Sequence, residues 1–150
     1  MRTRMLPLLA LALALALFAA SAAVAQGDAK KDPAKFQGTW VIESAQTDGK
    51  EIPSEVFKSF KMTFKGDAYA VQMGQEKIEG TFRLDSSANP RQIDILPDNG
   101  PDRGRVQPGV YEFDGDKLKI CAAPPGKERP AGFETKDKPG QTLLILRKQP

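Results

Sequence analysis

From Trp40 to the C terminus, apolar side chains recur at every second position, and this alternation decides the fold class. The run FKMTFK sets Phe60, Met62 and Phe64 against Lys61, Thr63 and Lys65. AYAVQM sets Tyr69, Val71 and Met73 against small or polar residues. KIEGTFRL sets Ile78, Gly80, Phe82 and Leu84 against Lys77, Glu79, Thr81 and Arg83. A period of two sends successive side chains to opposite faces, so each run is a strand with one apolar and one wet face. The separators are turn chemistry. Gly66-Asp67 joins two strands tightly, and Asp114-Gly115 is a hairpin signal because glycine supplies the positive φ the turn demands.

Eight strands are expected, near 39–46, 59–65, 68–73, 77–84, 91–96, 108–113, 117–122 and 142–148. IPSEVFKSF (52–60) reads as one helical turn with Ser54 as its cap. Two connections, 97–108 and 123–141, are long and rich in proline, glycine and charge. Short strands in sequence, mostly joined by hairpins, predict an all-β fold: a single antiparallel, eight-stranded, up-and-down β-barrel with one short helical turn. Closure removes exposed edges. Eight strands leave an interior that side chains fill or that holds one small ligand.

The first 25 residues have a different logic. Arg2 and Arg4 precede an apolar run, and Ala23-Val24-Ala25 has the small-x-small pattern of a cleavage site. A signal peptide cut after Ala25 is expected, which makes the protein exported, periplasmic or extracellular, with no stable membrane span after cleavage. A retained anchor is the alternative; the run is short and alanine-rich for a span. The polar stretch 26–35 reads as a flexible spacer and 36–150 as the barrel domain. Without Arg2 and Arg4 the chain's 22 basic side chains become 20 against 19 acidic, a net charge of +1. The lysines are scattered singly, so no nucleic-acid partner is expected.

Absent residues exclude much chemistry. The chain has no histidine, which removes histidine-dependent triads and general acid–base catalysis. One cysteine, Cys121, builds neither an internal disulfide nor a thiolate metal site. Alternation places it on the face of Lys117 and Lys119, as a small strand residue or a pairing or redox thiol. Asp98, Asn99 and Asp102 in PDNGPDRG fail the EF-hand spacing and read as a solvated turn. No metal, cofactor or catalytic residue is assigned. Asp94 stands between Ile93 and Ile95, on the outer face by alternation; turned inward it would need a partner, and Arg129 in KERPAGF is the candidate. The inward row offers Phe64, Tyr69, Phe82 and Tyr111 as the wall of a pocket for a small apolar molecule, or as a filled core. Gly80 in that row marks either space or a bend.

Gly38-Thr39-Trp40, at the head of the first strand, resembles the lipocalin signature. More widely, FQGTW, DGKEIP, KMTFKGDAYAV, GTFRLD with NPRQIDI, PGVYEFDGDKLKICAA and RPAGF resemble a family of small exported bacterial lipocalin-like domains of unknown function, over roughly 36–147. The resemblance implies a lipocalin-like barrel and an exported location, and it brings no activity. It also implies a structural end-plug: Gly38 lets the first strand enter the barrel, and Trp40 seals one end beneath a basic residue, here Arg147. Three functions follow as expectations. The first is non-enzymatic binding of a small apolar ligand in the interior or mouth, covered by the 97–108 or 123–141 loop. The second is a solid-core module acting through its loops on an unidentified envelope or surface protein. The third is a carboxylate-based enzyme.

Overall fold

The structure, a computed structural model, describes residues 32–150. The expected signal peptide, its cleavage point and most of the spacer lie outside the described residues. The described residues begin with a short helix, α1 (Asp32–Phe36), and enter the sheet at β1 (Gly38–Thr47). A two-residue strand β2 (Lys50–Glu51) and a helical turn α2 (Ser54–Phe57) follow. Then come β3 (Phe60–Lys65), β4 (Ala68–Met73), β5 (Glu76–Asp85) and β6 (Arg91–Pro97). The last three are β7 (Gln107–Asp114), β8 (Lys117–Ala122) and β9 (Thr142–Lys148). Each strand from β3 to β9 pairs antiparallel with its sequence neighbour, and β1 pairs with both β3 and β9. Eight strands therefore close into an up-and-down antiparallel barrel, while β2 only folds back on the end of β1.

Closure depends on a bulge. Along the β1–β9 seam, Ile42 pairs with Leu146 but Ser44 pairs with Ile145, so Glu43 is an extra residue. An inserted residue bends and twists the strand and shifts which side chains face in. Trp40 and Ile42 face inward before the bulge; Ala45, opposite Leu144, does so after it. The ejected Glu43 carboxylate meets Lys117 Nζ at 3.0 Å.

Two local expectations are corrected. The spacer was expected to be flexible to residue 35, yet Asp32–Phe36 is helical and Asp32 and Phe36 are both buried. Ser54 does not cap α2. Pro53 holds that position with φ −56°, no side-chain cap bond forms, and burial of Phe57 anchors the turn instead.

The core has two parts. Inside, Phe36 is fully buried, with its ring centroid 5.1 Å from Phe64, 5.6 Å from Phe82, 5.0 Å from Tyr111 and 5.3 Å from Phe113. These edge-on and tilted contacts fill the end of the barrel from which β1 starts. Burying one such ring stabilises the fold by about 1.5–3 kcal/mol. Outside, Val110, Cys121 and Leu143 form a row across β7, β8 and β9, buried beneath Phe133.

Candidate functional site

The two ends of the barrel differ. At the end where β1 starts, α1 crosses beneath the strands and Phe36 rises into them. The indole Nε1 of Trp40 donates to the Phe36 carbonyl at 2.8 Å, tying helix to strand. Trp40 is 3% exposed. Gly38 takes φ +113°, a conformation that favours glycine, and an added Cβ would stand 3.0 Å from the Lys148 side chain. The cation over the indole is Lys148, its ammonium 5.3 Å from the ring centroid; Arg147, expected there, is exposed and pairs across from Val41 and Lys117. The reason is parity. Leu144 and Leu146 face inward on β9, so Lys148 continues their row and Arg147 points away.

The same helix brings the buried Asp32 into a polar cluster with Tyr111, Arg91 and Ser86. The Tyr111 hydroxyl donates to Asp32 Oδ2 at 2.8 Å, Arg91 Nη1 stands 3.3 Å from the same oxygen, and the Ser86 hydroxyl is 3.0 Å from that of Tyr111. Burial pushes Tyr111 far above the usual tyrosine value; the Ser86 bond and the Arg91 charge pull it back, while the Asp32 bond and charge push it further. Asp32 Oδ1 has no hydrogen-bond partner among the described residues. Such an atom costs stability, on the order of 1–3 kcal/mol.

At the opposite end the barrel is hollow. A cavity of about 380 Å³ opens there, with walls that include Met62, Val71, Ile78, Ile95, Ile120 and Leu144. Its rim is the turn after β6. Asn99 holds that turn in place, accepting from Glu79 N at 2.8 Å and donating to Lys77 O at 2.8 Å. Gln107 Nε2 donates to Asp102 Oδ2 at 3.0 Å. Asn99 and Asp102 are thus spent on bracing the rim.

The sequence-derived pocket residues divide between the two ends. Tyr69 lines the cavity. Phe64, Phe82 and Tyr111 do not; they pack in the aromatic cluster around Phe36. Gly80 marks a close approach rather than space, since a Cβ there would come within 2.1 Å of Leu96 O and 2.9 Å of the Tyr69 ring.

Asp94 and Arg129 do meet, Nη2 to Oδ1. The pair is on the outer wall, as alternation places Asp94, and both side chains keep partial exposure. Arg129 Nη1 also donates to the carbonyls of Ile93 (3.0 Å) and Gly109 (2.8 Å). The loop 123–141 is therefore a strap along the wall. Arg129 fastens it to β6 and β7, Phe133 covers the Val110–Cys121–Leu143 row, and the Thr135 hydroxyl accepts from Gly49 N at 3.0 Å. Only its two ends, at Pro124 and Gly140, reach the cavity. The expected cover over the mouth is thus corrected for this loop: its apolar residue has an outer row to bury, and lies there. Under the strap, burial raises the Cys121 thiol above its usual value, and Gln141 offsets this in part.

Sequence reasoning missed Asp32, Phe36 and Phe133. Asp32 stands in a polar stretch without period, and Phe36 follows directly after it, ahead of the first alternating run. The third had a signal: apolar residues at outward positions of three adjacent strands need a cover.

No protein-family model matches the sequence, and no curated protein does. Among solved structures, the chain is similar to a DUF4847 family protein from Bacteroides vulgatus, at 14% identity and TM-score 0.47, over 76% of this chain and 94% of that one. It is also similar to an uncharacterized protein from Bacteroides eggerthii, at 15% identity and TM-score 0.48, over 76% of this chain and 99% of that one. These are likenesses of fold alone, and no residue role is taken from them.

Proposed function

We propose that this is an exported, non-enzymatic barrel that holds a small, largely apolar molecule in its open end, in the periplasm or outside the cell after cleavage behind Ala25. One observation carries the reading: an apolar cavity of about 380 Å³ opposite an end sealed by Phe36 and Trp40. Small-molecule sites are concave and mostly apolar, of roughly 300–1,000 Å³, with a few placed polar groups. This cavity sits at the lower end of that range, which fits a compact ligand of one or two rings. The filled half supplies the stability that lets the other half stay empty.

The test is native mass spectrometry of the protein purified from its own host. A chain beginning at Gln26 and carrying a small molecule that Val71→Trp, a substitution that fills the cavity, displaces without unfolding the barrel is the expected result. A ligand-free chain that captures no small apolar probe, or one with the same ligand in the Val71→Trp variant, would count against it.

A further inference from the structure

The cavity's polar groups are unequal in what they have left to give. Both ends of the Asn99 amide are bound to the β5 backbone. Asp102 accepts from Gln107 and lies 3.8 Å from Arg105 Nη1. Thr142 is a partly buried residue of the lining at the start of β9. Tyr69 differs from all of these. Its side chain is 5% exposed, it lines the cavity, and its hydroxyl makes no hydrogen bond to any described residue. Among the described residues Asp32 Oδ1 is the one buried side-chain oxygen left without a partner, so the Tyr69 hydroxyl is open to water or to a ligand. The ring is also fixed. It lies against Gly80, the one residue that leaves room for it. The donor is therefore held at a set point in an apolar wall.

Charge narrows the ligand further. Among the described residues no lysine or arginine lines the cavity, and its one charged lining residue is Asp102. Asp98 stands close enough to Tyr69 that its charge, after burial, helps push the phenol up to about 12. Tyr69 thus keeps its hydroxyl proton, and with it the ability to donate, throughout the ordinary pH range. A ligand carboxylate would have to shed water into a site whose lining holds no lysine or arginine and one carboxylate, Asp102.

We infer that the open end selects a neutral, largely apolar molecule bearing one hydrogen-bond acceptor, a carbonyl or ether oxygen, which takes the Tyr69 hydroxyl, and that it discriminates against carboxylate amphiphiles. This rests on the reading of the cavity as a ligand site and assigns Tyr69 as its specificity-determining residue.

Three probes of one shape test it by isothermal titration: 2-acetylnaphthalene, which carries an acceptor, 2-ethylnaphthalene, which has none, and 2-naphthoate, which is an anion. The purified protein should bind the acetyl compound roughly two- to tenfold more tightly than the ethyl compound, the span one hydrogen bond gives. The naphthoate should bind weakest. Tyr69→Phe should keep the melting temperature and the ethyl affinity while the acetyl-to-ethyl ratio falls to about one. An equal ratio in the unaltered protein, a ratio that survives Tyr69→Phe, or naphthoate as the tightest ligand would overturn the role of Tyr69 and leave the cavity reading standing. Failure of all three probes to bind would instead remove the cavity as a ligand site, and this inference with it.

Discussion

The indole of Trp40 donates to the carbonyl oxygen of Phe36 at 2.8 Å, four residues back along the chain. This bond makes the first strand and the helix before it one unit. Trp40→Ala removes the bond, a large buried area and the contact with Lys148, so we expect a loss of about 3–5 kcal/mol in urea unfolding. Trp40→Phe keeps much of the area and loses the donor, so about 1–3 kcal/mol is expected. A Trp40→Ala variant with an unchanged unfolding midpoint would show that the seal contributes nothing.

The strap carries a second prediction. Cys121 is fully buried beneath Phe133, and its thiol is raised above the usual value by burial. The thiolate is the reacting species, so a disulfide reagent at neutral pH should label the native protein very slowly. Phe133→Ala should speed labelling at least tenfold without abolishing the fold. Fast labelling of the unaltered protein would mean that the strap does not cover the row.

Arg129 and Asp94 should prove unequal. Their ion pair is partly exposed, so Asp94→Asn should cost at most about 1 kcal/mol. Arg129→Met takes a donor from two backbone carbonyls as well, so a loss of about 2 kcal/mol is expected. Paired urea melts decide this. Equal losses would place the strap's attachment in the ion pair alone.

The chain's two tyrosines, Tyr69 and Tyr111, both lie well above the ordinary value of 10.0, chiefly through burial. For an acid whose folded value is raised, the linked stability is complete below the unfolded value and is lost as pH rises through the folded one. Thermal stability should therefore hold up to about pH 10 and fall towards pH 12. Absorbance at 295 nm should show little tyrosinate at pH 10 in the folded protein and about half ionisation in urea. Half ionisation without unfolding would contradict the burial of both rings.

Each expected strand lies within one or two residues of its observed bounds, because alternation fixes faces and turn residues fix ends. Inward and outward assignments follow from the same parity; the Asp94–Arg129 contact forms on the outer wall with both side chains partly exposed, not as the inward, buried pair for which Arg129 was the candidate. What the pattern could not supply was anything without a period. Asp32 sits in a polar stretch, and Phe36 just beyond it, and the role of both depends on which end of a closed barrel they meet. The course of the 123–141 loop depends on the outer row it covers. Arg147 was expected over Trp40, and the residue there is Lys148, which continues the inward row of Leu144 and Leu146. How far side chains fill the barrel is a matter of volume, which alternation does not encode: aromatic rings fill one end, and smaller residues such as Ile78 and Ile120 leave the other open.

The central claim is that one half of the barrel is solid and the other receives a ligand. A methyl-labelled NMR titration with 2-ethylnaphthalene reads both halves at once. The claim predicts saturable shifts at the methyls of Ile78, Ile95, Ile120 and Leu144, with little change at Ile93, Leu118 and Leu146. Shifts concentrated at Ile93, Leu118 and Leu146, or on the outer row at Val110 and Leu143, or at none of these at probe saturation, would contradict it.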